Sequence, residues 1–296
     1  MSGSLLEIKK KISGVQNTRK ITKAMQLVAA SKMKQFQKRA VAAREYVGEM
    51  FKILDRNINE DLKSSYTETR EKGKTLFVLY TSDKGLCGPL NNKLINAVFR
   101  SEKWTSLEES ERLLITIGKK SQNFALSNKI KIEKHFSDIP EKISNLDAIM
   151  IVDEVLALWN SKEVKEVILI APHYKNSFTF YPVMKTFLPF SKESIAKIMG
   201  IDNHEEKVKN QFMLFEPSAG KVLKRLYEEI VQALFIQSFL ELKAAEYSSR
   251  MIAMQNATDA ADKMTSELKR TFNKARQSAI TQEIAELIGA SMALAD

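Results

Sequence analysis

From Lys221 to Asp296 the chain contains no proline, and its only glycine is Gly289. Within that stretch, apolar or small residues recur at alternating spacings of three and four. The series runs Leu223, Leu226, Ile230, Ala233, Gln237, Leu240, Ala244, Tyr247, Met251, Met254, Thr258, Ala261, Thr265, Leu268, Phe272, Ala275, Ala279. This heptad seam covers 57 residues, interrupted by Gln237 and softened by two threonines. A straight helix drifts off a 3.5-residue repeat, so a seam of this length implies a left-handed supercoil around a partner helix. At about 1.5 Å per residue the whole element would be roughly 115 Å long, more than an ordinary globular domain buries.

The partner is at the other terminus. Residues 4–58 also read as one helix, because Gly14 costs only about 1 kcal/mol relative to alanine. Leu5, Ile8, Ile12 and Val15 begin an apolar stripe, which Ile21, Met25 and Val28 continue with a shifted phase. Phe36, Ala40, Ala43, Val47, Met50 and Leu54 then keep a four-three alternation. Two such helices pair most economically with each other, and a compact intervening segment makes the pairing antiparallel. The first is the shorter, so one end of the second should project alone. That end carries Ile280, Ile284, Ala285, Leu287, Ile288, Ala290, Met292, Ala293 and Leu294, and is apolar around much of its circumference. Such a helix is normally buried, either by folding back on its own domain or inside a sleeve provided by another protein.

Between the helices the pattern changes. Thr75–Tyr80, Leu113–Ile117 and Val167–Ala171 are short apolar runs beside chain breakers, and Phe178–Met184 is a weaker one. Amphipathic stretches near 90–103, 119–127 and 147–160 alternate with them, as in a small α/β domain with a partly parallel sheet. Lys192 to Gln211 is polar and reads as a loop. All six prolines fall in this middle segment. The expected domains are therefore a helix over 1–58, an α/β domain over 73–217 and a second helix over 219–296 that pairs with the first. The fold class is α+β: a long antiparallel left-handed coiled coil of the terminal helices plus a small Rossmann-like α/β domain.

Composition limits the function. No run of 18 apolar residues exists, so no membrane span is expected. The start of the chain does not read as a secretory signal. A single cysteine, Cys87, excludes an internal disulfide. The net charge of +10 is uneven, since residues 1–56 hold 13 Lys/Arg against four Asp/Glu. A basic helix suits nucleic acid, an anionic membrane or an acidic protein surface. Phe36 is the only aromatic before Tyr46 and no nucleic-acid module is visible, which favours a protein partner over nucleic acid. The loop Gly85-Leu86-Cys87-Gly88 follows a strand and opens a helix, but lacks the ending of a phosphate loop and the dinucleotide fingerprint. A tight strand-to-helix turn is the expectation there. Cys87 has no histidine paired with it among His135, His173 and His204, and reads as a small buried thiol. No metal-ligand spacing or carboxylate pair stands out. No catalytic residue, cofactor or metal site is expected.

Several motifs resemble one known family. The run Ile12–Met33 (ISGVQNTRKITKAMQLVAASKM) is similar to the amino-terminal signature of the gamma subunits of F-type ATP synthases. Ser82–Gly88 (SDKGLCG) resembles the loop after that family's first strand. Arg250–Thr258 (RMIAMQNAT) and Asn273–Thr281 (NKARQSAIT) resemble its carboxy-terminal helix signature. The four motifs occur in the family's order and cover both ends and the domain between.

The resemblance implies a non-catalytic rotor subunit. Its terminal helices would form the central shaft inside a hexamer of alpha and beta subunits, and its α/β domain would rest with epsilon on the membrane c-ring. Ion flow would turn the shaft and drive each beta subunit through its binding states. By correspondence with the family's motifs, Met25 would lie near the beta lever, and Arg276 and Gln277 would form a polar catch on a beta loop. Ile284, Leu287, Ile288, Met292 and Leu294 would turn in a hydrophobic bearing. Lys20, Lys23 and Lys32 would face the acidic beta lever. The family often has serine at Gly14, arginine at Lys84 and glycine at Pro89. Pro89 should stiffen its loop from the first helical position. The absence of the plastid form's two-cysteine insert points to a bacterial enzyme, with the chain peripheral on the cytoplasmic face of the cell membrane. The competing reading from another class is a structural coiled-coil adaptor for an acidic partner.

Overall fold

The computed structural model describes residues 2–57, 65–141, 145–176, 179–190, 216 and 218–293. The expected loop at Lys192–Gln211 lies outside them. Two long helices, α1 (Ser2–Asn57) and the last helix, α6 (Ala219–Ala293), bracket a mixed α/β segment. The chain divides into two compact units, one made of 1–30 with 250–296 and the other of 31–249.

The first unit is a helix pair. Arg19 Nε donates to Asp262 Oδ1 at 2.5 Å, the hydroxyls of Thr22 and Thr258 lie 2.8 Å apart, and Gln26 Nε2 donates to Gln255 Oε1. Moving forward along α1 moves backward along α6, so the pairing is antiparallel. Thr258, Ala261 and Thr265 are buried, and Leu268, Phe272, Ala275 and Ala279 are half-buried, at the spacings the heptads require.

On α1 the seam runs where an apolar count does not find it. Ile21 and Val28 do not continue it: they are 61% and 60% exposed. The inner positions are Leu5, Ile8, Ile12, Val15, Arg19, Thr22, Gln26 and Ala29, an unbroken three-four alternation in which Thr22 and Ala29 are buried and the others half-buried. There is no phase shift. Three polar residues occupy the middle of the seam and are met across it by Asp262, Thr258 and Gln255 of α6, so the apolar pattern lapses while the heptad does not.

The second unit is built on a five-stranded sheet. Its strands are β1 (Lys74–Tyr80), β2 (Arg112–Ile117), β3 (Lys134–Phe136), β4 (Val164–Asn176) and β5 (Thr179–Leu188), in the order β3-β2-β1-β4-β5. Only β4 and β5 pair antiparallel. The helices α2 (Leu90–Phe99), α3 (Glu102–Thr105), α4 (Lys119–Ser127) and α5 (Asn145–Asn160) connect them. β1 is central and buried on both faces, as its uninterrupted apolar run implies. Phe77 meets Trp104 of α3, which also packs on Phe99 of α2, while Tyr80, on the opposite face by alternation, meets Phe235 of α6. The sheet therefore has α2 and α3 on one face and α6 on the other. The three residues of β3 are too few to register as a strand in sequence, and β4 runs five residues past the expected Ala171.

At the ends of β1 and β2 the backbone leaves no room for a side chain. Gly118 has φ +93°, and a Cβ there would stand 2.1 Å from Thr81 O. Gly14, in contrast, has nothing within 4 Å of its would-be Cβ. Pro89 is the N-cap of α2 rather than its first helical residue, one position earlier than expected.

A buried charge lies where both long helices meet the β4–β5 hairpin. Glu241, 3% exposed, accepts from Arg44 Nη2 at 2.7 Å and from Gln237 Nε2 at 3.1 Å, with His173 Nδ1 at 3.4 Å. Burial would raise this carboxyl, but hydrogen bonds from His173 and Arg44, with the charges of Arg44 and Lys185, outweigh it and hold it at about 2.

Gly118→Ala should therefore lower stability by at least about 2 kcal/mol, from positive φ plus overlap with Thr81 O, whereas Gly14→Ala should raise it by about 0.5–1 kcal/mol. Paired urea unfolding curves check both. Glu241 also sets an acid limit. Its folded pKa is depressed, so its contribution is present above its ordinary value near 4.5 and lost as pH falls toward about 2. Unfolding midpoints measured across that window should fall more steeply for the native chain than for Glu241→Gln.

Candidate partner-binding surface

Among the described residues no group of three His, Cys, Asp or Glu could hold a metal ion. The loop after β1 spends its polar groups on itself. Ser82 N donates to Asn91 Oδ1 at 3.0 Å, Asn91 Nδ2 donates to Cys87 Sγ at 3.2 Å, and Lys119 N donates to Asp83 Oδ1 at 3.0 Å. Leu86 and Gly88 take positive φ to close the turn. Cys87 is buried, and His173 faces Glu241 rather than the thiol. The segment is a strand-to-helix turn, and the Ser249 hydroxyl of α6 caps it by donating to Cys87 O at 2.5 Å.

The first unit presents two stretches of exposed surface. The first is the outer side of α1. Lys20 and Lys23 are exposed, Lys23 Nζ donating to Gln26 Oε1 at 3.1 Å, and Met25 is half-buried beside the seam. Ile21, Leu27 and Val28, each about 60% exposed, stand among them. Large apolar side chains interleaved with lysines on an outward helix face suit a partner surface both apolar and acidic. Leu27 was not singled out from sequence, and the other two were assigned to the seam. The signal that could have found them is the heptad frame itself, which puts all three outside.

The second part is the end of α6. In the register fixed by Arg19 and Asp262, Ser2 falls opposite Ala279. From Ile280 to Ser291 every described side chain is exposed, including Ile284, Leu287 and Ile288. Arg276 and Gln277 are exposed just before this stretch. The side chain of Met292, and Leu294 entirely, lie outside the described residues. No helix among the described residues is long and apolar enough to cross a membrane.

Lys32 belongs to the second unit and differs from Lys20 and Lys23. Its ammonium is 2.5 Å from Glu141 Oε2, and the Tyr247 hydroxyl donates to the other carboxylate oxygen. Burial would raise the Glu141 carboxyl, but these two bonds outweigh it and hold it below its usual range. Lys32 thus spends part of its charge within its own chain.

Two substitutions separate the exposed surface from the seam. Arg276→Ala, which removes no internal bond, should leave the unfolding midpoint unchanged within about 0.5 kcal/mol. Thr258→Val should lower it by about 1 kcal/mol, because it removes the buried hydroxyl contact across the seam and leaves Thr22 only its bond to Arg19 O at 3.0 Å. Thermal unfolding of both variants tests this division into surface and seam.

The family model for ATP synthase matches residues 4–294. The chain is 34% identical to the ATP synthase gamma chain of Geotalea uraniireducens over 290 residues, covering 97% of this chain and 98% of that one. It is 33% identical to the ATP synthase gamma chain of Clostridium botulinum (strain Kyoto / Type A2) over 297 residues, covering 99% of both. Among solved structures, a chain of the central stalk and c-ring of Tetrahymena thermophila mitochondrial ATP synthase aligns with TM-score 0.60 at 27% identity, over 80% of this chain and 99% of that one. A chain of Euglena gracilis mitochondrial ATP synthase aligns with TM-score 0.67 over 99% of this chain and 95% of that one, and at 17% identity it speaks for the fold alone. With a family model spanning nearly every residue and bacterial relatives a third identical from end to end, the chain belongs to the ATP synthase gamma-chain family.

Proposed function

We propose that this chain turns as the central stalk of a bacterial F-type ATP synthase, carrying torque between the membrane c-ring and the catalytic beta subunits. The observation that carries the reading is the end of the heptad seam at Ala279, after which α6 continues exposed with Ile280, Ile284, Leu287 and Ile288 uncovered. In a hexamer of alpha and beta subunits, Ile284, Leu287, Ile288, Met292 and Leu294 would run in an apolar bearing, where contacts are non-directional and hold no preferred angle. Arg276 and Gln277 would engage a beta loop at the bearing's mouth. Lys20 and Lys23, with Met25 and the newly found Ile21, Leu27 and Val28, would meet the acidic beta lever. Lys32 would contribute less, because Glu141 already pairs with it. Screened surface charges can be made and broken cheaply as the shaft turns.

In this reading the chain performs no bond chemistry. Its α/β unit would contact epsilon and the c-ring on the cytoplasmic face of the cell membrane, so that the chain is peripheral to the bilayer. The three domains of the sequence reading then have distinct work: 1–58 and 219–296 as the shaft, and 73–217 as the coupling to the ring.

Mixing the chain with alpha and beta subunits should yield one copy per hexamer and steady ATP hydrolysis. Stoichiometric binding without any effect on ATP turnover would instead support a static adaptor, and failure to enter the hexamer would remove the stalk reading. Within an active complex, Arg276→Ala should reduce turnover about tenfold or more, since losing a charge-assisted hydrogen bond costs roughly 1.5–3 kcal/mol. Unchanged turnover would remove Arg276 from the catch.

A further inference from the structure

The heptad seam of α6 is interrupted by a polar residue at Gln237, and the interruption coincides with the most heavily buried charged residue among the described ones. One helical turn on, Glu241 is 3% exposed, with Gln237 Nε2 on Oε1 at 3.1 Å. Arg44 of α1 donates to the same oxygen at 2.7 Å. His173 of β4 lies 3.4 Å from the other oxygen, and Lys185 of β5 adds a second positive charge. His173 and Tyr181 are register partners across the β4–β5 hairpin, and their rings are 5.2 Å apart. One carboxylate thus gathers charged or polar groups from both long helices and both strands of the hairpin.

We propose that Glu241, with Arg44, Gln237, His173 and Lys185, is the clutch through which the sheet turns the helix pair. The proposal rests on the central-stalk reading and adds to it the place where torque enters the shaft. Apolar packing resists separation but not sliding, because it has no preferred direction. Charge-assisted hydrogen bonds are short and directional. Sliding the hairpin past the helices would strand Glu241 and Arg44 as buried, unpaired charges, which is strongly unfavourable. The arrangement also carries a cost that packing alone would not require: Arg44 Nε and Gln237 Oε1 are buried without a hydrogen-bond partner. An apolar joint of the same volume would avoid that cost and lose the directional resistance.

Another ionic contact of the sheet segment with the helices makes the contrast. Glu141 reaches Lys32 and Tyr247, but the side chains of Lys32 and Glu141 are 39% and 40% exposed. A half-solvated pair gives way more easily, so Glu141→Gln serves as the control.

The test uses the complete complex in membrane vesicles, with ATP hydrolysis and ATP-driven proton pumping measured against an imposed gradient. Glu241→Gln removes the negative charge between Arg44 and Lys185. The double variant Arg44→Met with Glu241→Leu removes the paired charges together and keeps the joint packed. Both should retain hydrolysis and lose pumping against the gradient, while Glu141→Gln keeps both. If either Glu241 variant, present at the native amount in the complex, pumps against the gradient as the native chain does, the clutch is overturned. If Glu241→Gln does not assemble, the double variant decides. If neither assembles, the cluster is a folding determinant and the proposal is equally overturned. Absence of the native chain from the complex would instead strike the stalk reading itself.

Discussion

The antiparallel pairing of α1 with α6 is the constraint on which the first unit depends. Three polar contacts fix its register: Arg19 with Asp262, Thr22 with Thr258, and Gln26 with Gln255. A purely apolar seam would be stabilised almost equally in registers one heptad apart, whereas a polar pair inside it specifies one. Once the register is set, the end of the internal seam follows. Ser2 runs out opposite Ala279, and the remainder of α6 is left for another surface.

The distribution of polarity along α6 is the reverse of what a globular helix shows. From Gln237 to Ser249 the helix is buried on nearly every side, and that stretch contains Glu241, Lys243 and Glu246. From Ile280 onward the described helix is exposed, and Ile280, Ile284, Leu287 and Ile288 stand out beside Gln282, Glu283 and Glu286. Buried charge is tolerable in the first stretch because it is paired: Glu241 with Arg44, and Lys243 Nζ with Glu246 Oε2 at 3.1 Å. Exposed apolar surface in the second stretch is the mark of a partner. The small residues Ala244, Ala245, Ser248 and Ser249 explain how the burial is achieved. They let α1 and the loop after β1 come close, and Ser249 reaches Cys87 O directly.

Much of this was legible in the sequence, and the failures have physical reasons. The two helices and the seam of α6 followed from periodicity alone, because a heptad repeat over 57 residues has no competing explanation. Strands β1, β2 and β4 followed from apolar runs that only a two-faced parallel sheet buries. β3 did not, because its three residues borrow their strand character from pairing with β2. The phase of α1 around Ile21 was misread because hydropathy counts Thr22 and Gln26 as outside, although a polar pair across a seam is satisfied inside. The Glu241 cluster was illegible for a deeper reason. Arg44, His173, Lys185 and Glu241 are spread over nearly 200 positions, and only the folded chain brings them together. Even so, Gln237 in the seam was a signpost to it. Residues of the candidate surface were reached in two ways: the apolar tip from pattern, and Arg276, Gln277 and Met25 only through resemblance to the family.

The central claim is that this chain rotates within a ring that does the chemistry. Leu146→Cys, at a position 73% exposed on the sheet unit, gives a handle for a bead, while the native Cys87 is buried and does not compete. With the alpha–beta hexamer fixed to a surface and ATP supplied, the account predicts stepwise rotation of the bead in one direction at a rate that follows ATP turnover. Hydrolysis proceeding under a stationary bead would contradict it.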